Sequence, residues 1–175
     1  MKDSKATNHL KKEDKMAEVL IQKLMDEAYD QWQNNEDWTL QDFRNYIKEN
    51  LTQQHLTAVQ VGNLDFQVED GGFYQWHTNG YSMDLEDLMK VCEEIETEAS
   101  MEVRDILDGI LDVLVCYYDA DEAITNIVEG YADTLRECLE EQVFRDLSEY
   151  DDKYRNVSGQ FLLDVEKYLR NQMAS

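Results

Sequence analysis

The chain has 175 residues, with 39 Asp or Glu against 16 Lys or Arg and a formal net charge of −23, in a composition that is 42% hydrophobic and 10% aromatic. That apolar and aromatic content excludes a disordered acidic tail, whose mark is high charge with few aromatics, and the length suits one domain with one core. The acidity excludes nucleic-acid binding by the chain itself over most of its surface, and with no run of 18 apolar residues and no basic start leading into one, the sequence predicts a cytosolic protein.

In chain order, residues 1–11 are polar, basic and without periodicity, and they read as a mobile arm ahead of a single acidic helical domain over 12–175. Met16, Val19, Leu20, Leu24 and Ala28 recur at helical spacing and predict a helix from about Glu13 to Trp32. Thr39 then caps a second helix, with Asp42 reaching back in a capping box and Leu40, Phe43, Ile47 and Leu51 along one face. The segment from His55 to Tyr81 reads as irregular. Leu64, Phe66 and Val68 alternate as a short strand would, and Gly71–Gly72 interrupt any regular element.

Helical periodicity returns in Leu85, Leu88, Met89, Cys92 and Ile95, then in Val103, Ile106, Leu107, Ile110 and Leu114. It continues through Ile124, Ile127, Val128, Tyr131, Leu135, Cys138 and Leu139. Asp151 and Asp152 mark a break before a closing helix carrying Phe161, Leu162, Val165, Tyr168 and Leu169. The fold class is therefore all-α: a single compact domain of about six helices with an irregular Gly-Gly segment. Cys92, Cys116 and Cys138 are odd in number, widely spaced and set in apolar helical patterns, so they read as reduced, buried small hydrophobes.

The charge is not spread evenly. From Asp65 to Asp152 there are 26 acids against Lys90, Arg104, Arg136 and Arg145, a net −22. At about 100° per residue, Asp105, Asp108, Asp112 and Asp119 fall opposite the apolar face of their helix, and Glu122, Glu129, Asp133, Glu137 and Glu140 fall opposite that of the next. Glu93, Glu94 and Glu98 flank them. Exposed helices usually set Lys or Arg one turn from an acid for a few tenths of a kcal/mol per pair. Here such partners are largely missing, so each stripe repels itself and solubility or salt adaptation explains it poorly.

Catalytic chemistry finds no footing. His9, His55 and His77 are scattered, no Ser or Cys stands in a nucleophile motif, and Gly71–Gly72 lacks the lysine of a phosphate loop. Asp119, Asp121 and Glu122 miss the offsets of a calcium loop. No cofactor, no metal and no enzyme activity are expected, and His77 reads as a packing or hydrogen-bonding residue.

The segment Val68-Glu69-Asp70-Gly71-Gly72-Phe73-Tyr74-Gln75-Trp76-His77-Thr78-Asn79 resembles the N-G-G-F-x-Q-aromatic-x-x-N signature of a family of small helical proteins that includes a bacterial DNA-mimic protein of the DMP type. Gly71, Gly72, Phe73, Gln75, Trp76 and Asn79 match, with Asp70 where the family has Asn. Physically, the glycines allow a tight turn between helices, Phe73 and Trp76 enter the core, and Gln75 and Asn79 satisfy backbone groups that the turn leaves open. The resemblance implies a helical fold. The charge map independently suggests a decoy for a nucleic-acid-binding protein such as a Cas9-type nuclease, a restriction enzyme or a transcription regulator, in an anti-CRISPR or anti-restriction role, with pairing of two copies as a way to lengthen the charged face. The competing reading is a regulatory or toxin-antitoxin-type interaction protein that binds through its arm or its aromatic-rich loop, its acids serving only solubility.

Overall fold

A computed structural model of the chain describes residues 20–35, 37–125 and 132–174. Helix α1 covers residues 20–33. It is followed by α2 (Leu40–Asn50), α3 (Gln53–Thr78), a 3-10 turn (Tyr81–Asp84), α4 (Leu85–Ile95), α5 (Glu98–Thr125), α6 (Ala132–Ser148) and α7 (Asp151–Ala174). Among the described residues there is no strand, and no helix is long and apolar enough to cross a membrane. The arm at 1–11, Met16, Val19, Ile127, Val128, Glu129 and Tyr131 lie outside the described residues.

The capping box at α2 forms as its sequence predicts: the Asp42 N–H donates to Thr39 Oγ1 at 3.2 Å and the Thr39 N–H to Asp42 Oδ2 at 2.9 Å. Phe43 and Ile47 then join Ala28, Leu56 and Val59 in a small core, edged by Trp32 and Trp38. Arg44 on the same helix is also buried, which its charge did not foretell. Its Nε donates to Asp84 Oδ1 at 2.6 Å, a second guanidinium nitrogen pairs with the other carboxylate oxygen, and Gln60 Nε2 donates to Asp84 Oδ1 at 3.0 Å. A buried ion pair of this kind is tolerated because its hydrogen bonds replace the water it lost.

The segment expected to be irregular is the central helix. Leu56, Ala58, Val59, Val61, Leu64 and Val68 are all buried in α3, together with Thr57, Gln60, Asn63 and Gln67. A helix packed on nearly every side shows no amphipathic period, which is why its sequence is ambiguous. Phe66, the middle of the apparent strand alternation, points outward and is 64% exposed.

Gly71–Gly72 do not open a loop between two helices but kink one. Gly72 adopts φ 79°, ψ −179°, a conformation open essentially to glycine alone. The Phe73 N–H freed by the kink donates to Asp151 Oδ1 at 2.8 Å, so the first residue of α7 caps the second half of α3. Phe73 and Trp76 are fully buried, as expected, with Phe73 edge-on to both Trp76 and Tyr154. Gln75 and Asn79, however, do not serve backbone groups through their side chains. Both donate to Gln67 Oε1, at 3.0 and 2.7 Å, and so tie the two halves of the helix across the kink.

Helix α7 packs on both α3 and α5, and α5 packs on α4 and α6. The break at Asp151 and the apolar face of α7 match the sequence, with Phe161, Val165 and Leu169 buried. The cysteines match in part. Cys92 is buried, whereas Cys116 and Cys138 are exposed. Cys116 lies two residues, about 200°, beyond buried Leu114 and so on the far side of α5. The inward residues of α6 are Val143 and Leu147 rather than Leu135 and Cys138.

Replacing Gly72 with Ala forces a side chain into that conformation and sets its Cβ against the Asp151 carboxylate. The expected cost is about 1–3 kcal/mol, read as a lowered urea midpoint with an unchanged slope; Gly159→Ala, where the added carbon meets nothing within 4 Å, is the control.

Candidate functional site

Helix α5 begins where Thr97 and Ser100 cap each other, the Thr97 N–H donating to Ser100 Oγ at 2.9 Å and the Ser100 N–H to Thr97 Oγ1 at 3.2 Å. Immediately upstream Glu96 closes α4 in the left-handed conformation, φ 56°. From this start Val103, Ile106, Leu107, Ile110 and Leu114 are buried. Asp105, Asp108, Asp112 and Asp119 are exposed on the same helix. A rise of about 1.5 Å per residue places Asp105, Asp108 and Asp112 roughly 4.5 and 6 Å apart along the axis. That is inside the Debye length of about 8 Å at physiological salt, so their fields add.

Glu93, predicted as a flanking acid, is drawn into this row by a single guanidinium. Arg104 Nε lies 3.3 Å from Glu93 Oε1, and its Nη1 lies 3.4 Å from Asp105 Oδ1 and 3.7 Å from Asp108 Oδ2. The hydrogen bond to Glu93, with Asp108 and Asp105 adding to it, raises the Arg104 pKa further above its ordinary value. Three carboxylates thus share one positive charge. At the far end Arg136 Nε meets Asp121 Oδ1 at 3.2 Å and links α5 to α6. Exposed pairs of this kind contribute about 0–1 kcal/mol, too little to be the reason for the acids.

The remaining predicted residues divide. Glu98, Glu122, Asp133 and Glu137 are exposed. Asp112, Asp119, Glu98, Asp133 and Glu137 have neither ion pair nor hydrogen bond among the described residues. Glu94 is exposed but takes the Tyr168 hydroxyl from α7. Glu140 is half-buried and turned inward, on the side of α6 that carries Val143 and Leu147. It accepts the hydroxyls of Tyr117, at 2.6 Å, and Tyr74, at 3.1 Å. It therefore ties α6 to α5 and α3 instead of lining an outward row. Glu129 lies outside the described residues.

Taken together α4, α5 and α6 carry 17 acids and four basic residues. Spread along the roughly 42 Å length of α5, that net charge of −13 is about one per 3 Å, against one per 1.7 Å of duplex DNA. Three adjacent helices thus approach half of the duplex density, where one stripe alone does not.

Ring contacts join these helices to α3. Tyr118 and Tyr117 stand edge to face at 5.2 Å, His77 packs edge-on to both, and Tyr74 packs edge-on to Phe144 at 5.2 Å. Only the Tyr117–Tyr118 doublet and Tyr74 within the glycine segment could have signalled them. His77 Nδ1 lies 3.0 Å from Ser82 Oγ, in keeping with a hydrogen-bonding role. Its burial lowers its pKa, partly offset by Glu140. The hydrogen bond to Glu140, and then burial, raise the Tyr117 pKa well above the usual tyrosine value.

A cleft of about 1090 Å³ lies elsewhere, between α1 and α3 beside Met25, Tyr29 and Phe66. Within it Lys23 pairs with Glu27 one turn away, and the Tyr29 hydroxyl donates to Asn63. His55 is engaged with Thr52 and Glu27 at the start of α3. Among the described residues no group of His, Cys, Asp and Glu could hold a metal ion.

The model of a protein family described as DMP19-like protein matches residues 49–172, from the end of α2 through most of α7. The chain belongs to the DMP19-like protein family. Searches of curated proteins and of solved structures return no match.

Glu140→Gln should bring the Tyr117 pKa down towards 10 and move that of His77 further down, read by phenol absorbance and by ring-proton shifts. A phenol whose folded pKa is raised contributes stability that is complete below pH 10 and lost as pH climbs through the folded value. The loss of stability above pH 10 should therefore be shallower in the variant.

Proposed function

We propose that this protein is a DNA mimic that binds the nucleic-acid-binding surface of another protein and blocks it. The observation that carries the reading is the row of exposed acids on α5, joined by Glu93 of α4 through Arg104, with Asp133 and Glu137 exposed on α6 and four basic residues to answer 17 acids over the three helices. Membership of the DMP19-like family supports it. A cationic cleft built for phosphates gains the same charge-assisted contacts from carboxylates, and association driven by such a field is fast and strongly dependent on salt.

The acids suited to this are Asp105, Asp108, Asp112, Asp119, Asp133 and Glu137, with Glu93, Glu98 and Glu122 beside them. Glu140 and Glu94 have a different part, holding tyrosines of neighbouring helices so that the rows keep their spacing. The target is a nucleic-acid-binding protein: a Cas9-type nuclease, a restriction enzyme or a transcription regulator. A small, highly acidic inhibitor is useful to a phage or plasmid against host defence, which makes an anti-CRISPR or anti-restriction role the finer form of the proposal; this step rests on analogy.

Neutralising Asp112, Asp119, Asp133 and Glu137 together, to Asn or Gln, should leave helicity and thermal stability intact. Affinity for the target captured from host lysate should fall by about 10- to 100-fold, with a shallower dependence on salt. Neutralising the same number of exposed acids on and around α1 and α2 (Asp26, Asp30, Asp37 and Glu49) is the control and should have a much smaller effect. Equal losses from both sets would mean that net charge, and not this face, makes the contact.

A further inference from the structure

The helices that carry the exposed acids also carry exposed rings. Tyr118 is 56% exposed and Phe144 is 51% exposed, and between them runs a chain of contacts across three helices. Tyr118 meets His77 and Tyr117, the Tyr117 hydroxyl reaches Glu140, the Tyr74 hydroxyl reaches the same carboxylate, and Tyr74 meets Phe144. Each end opens into a cleft: one of about 650 Å³ beside Tyr118, Val115 and Met83, the other of about 410 Å³ lined by Tyr74 and Phe144. Carboxylates border both, Glu86 and Asp87 at the first and Glu140 and Glu141 at the second.

We propose that this strip is a stacking site for arginine side chains of the basic partner, so that the protein offers flat rings between carboxylates much as a nucleic acid offers bases between phosphates. The inference rests on the mimicry reading and specifies how the partner is gripped. Charge complementarity selects the occupant. Exposed rings among acids attract a cation, and guanidinium both stacks on a ring face and pairs with a carboxylate, while ammonium is more strongly hydrated and has no plane to stack. Among the described residues the cation-ring contacts are Arg44 over Tyr81 and Lys153 over Tyr150, so the strip's rings are not covered from within. Arg145 borders the smaller cleft, but its guanidinium is turned to Gln142. Aromatic anchors flanked by charge are where binding energy concentrates in protein interfaces.

The experiment titrates the full chain with hexa-arginine and with hexa-lysine at low salt, which present equal charge. The wild type should prefer hexa-arginine. Changing Phe144→Leu together with Tyr118→Leu keeps the net charge and should weaken hexa-arginine by about tenfold while moving hexa-lysine by less than about twofold. Phe144→Tyr with Tyr118→Phe keeps the ring faces and should retain the preference; circular dichroism and melting establish that both variants fold. If the leucine variant bound hexa-arginine as the wild type does, or lost both peptides alike, the stacking site would be overturned while the acidic face stood. Failure of the mimicry reading shows separately, in the acid-neutralised variant's affinity for the nucleic-acid-binding target.

Discussion

Everything that distinguishes this molecule depends on one constraint: carboxylates spaced a helical turn apart along α5 repel one another, and the helix must be held in spite of them. Each like-charge pair one turn apart costs a few tenths of a kcal/mol. Burial of a single Val, Leu or Ile side chain contributes about 1.5–3 kcal/mol, as an upper figure. With Val103, Ile106, Leu107, Ile110 and Leu114 all buried, the apolar side outweighs the acidic side several-fold. The acids can therefore stand in a fixed row with Arg104 shared among three of them, which separates an ordered charged surface from an acidic tail.

The surroundings of α5 extend that rigidity to its neighbours. Arg104 brings Glu93 of α4 to the α5 row, Arg136 ties the far end of α5 to α6, and Glu140 holds tyrosines of α3 and α5 at once. The kink at Gly72 and its cap from Asp151 fix the second half of α3, where Tyr74 and His77 lie. The glycine segment thus acts through packing: it sets the angle at which aromatic residues reach the acidic helices.

How much of this was legible in the sequence follows from how cleanly each helix divides its residues. In α5 apolar and acidic side chains separate at a helical period, so both the core face and the exposed row could be read. In α3 burial extends nearly all round, including Thr57, Gln60, Asn63 and Gln67, and a pattern without a polar face gave neither its helical state nor its central place. In α6 the pattern read through Leu135, Cys138 and Leu139 is not the buried one; the fold buries Val143 and Leu147 and leaves Leu135 and Cys138 exposed, with Glu140 turned inward. The Arg44–Asp84–Gln60 network and the aromatic strip join residues distant in sequence, and no local spacing encodes them.

On the proposed reading, this surface takes the place of nucleic acid on its partner. The most direct measurement is competition: the partner, isolated from host lysate at low salt, is titrated with duplex DNA in the presence of increasing amounts of this protein. Mutually exclusive binding is expected, with the apparent dissociation constant for DNA rising in proportion to the protein added and both interactions weakening steeply with salt. A stable ternary complex, with DNA affinity unchanged at saturating protein, would contradict it.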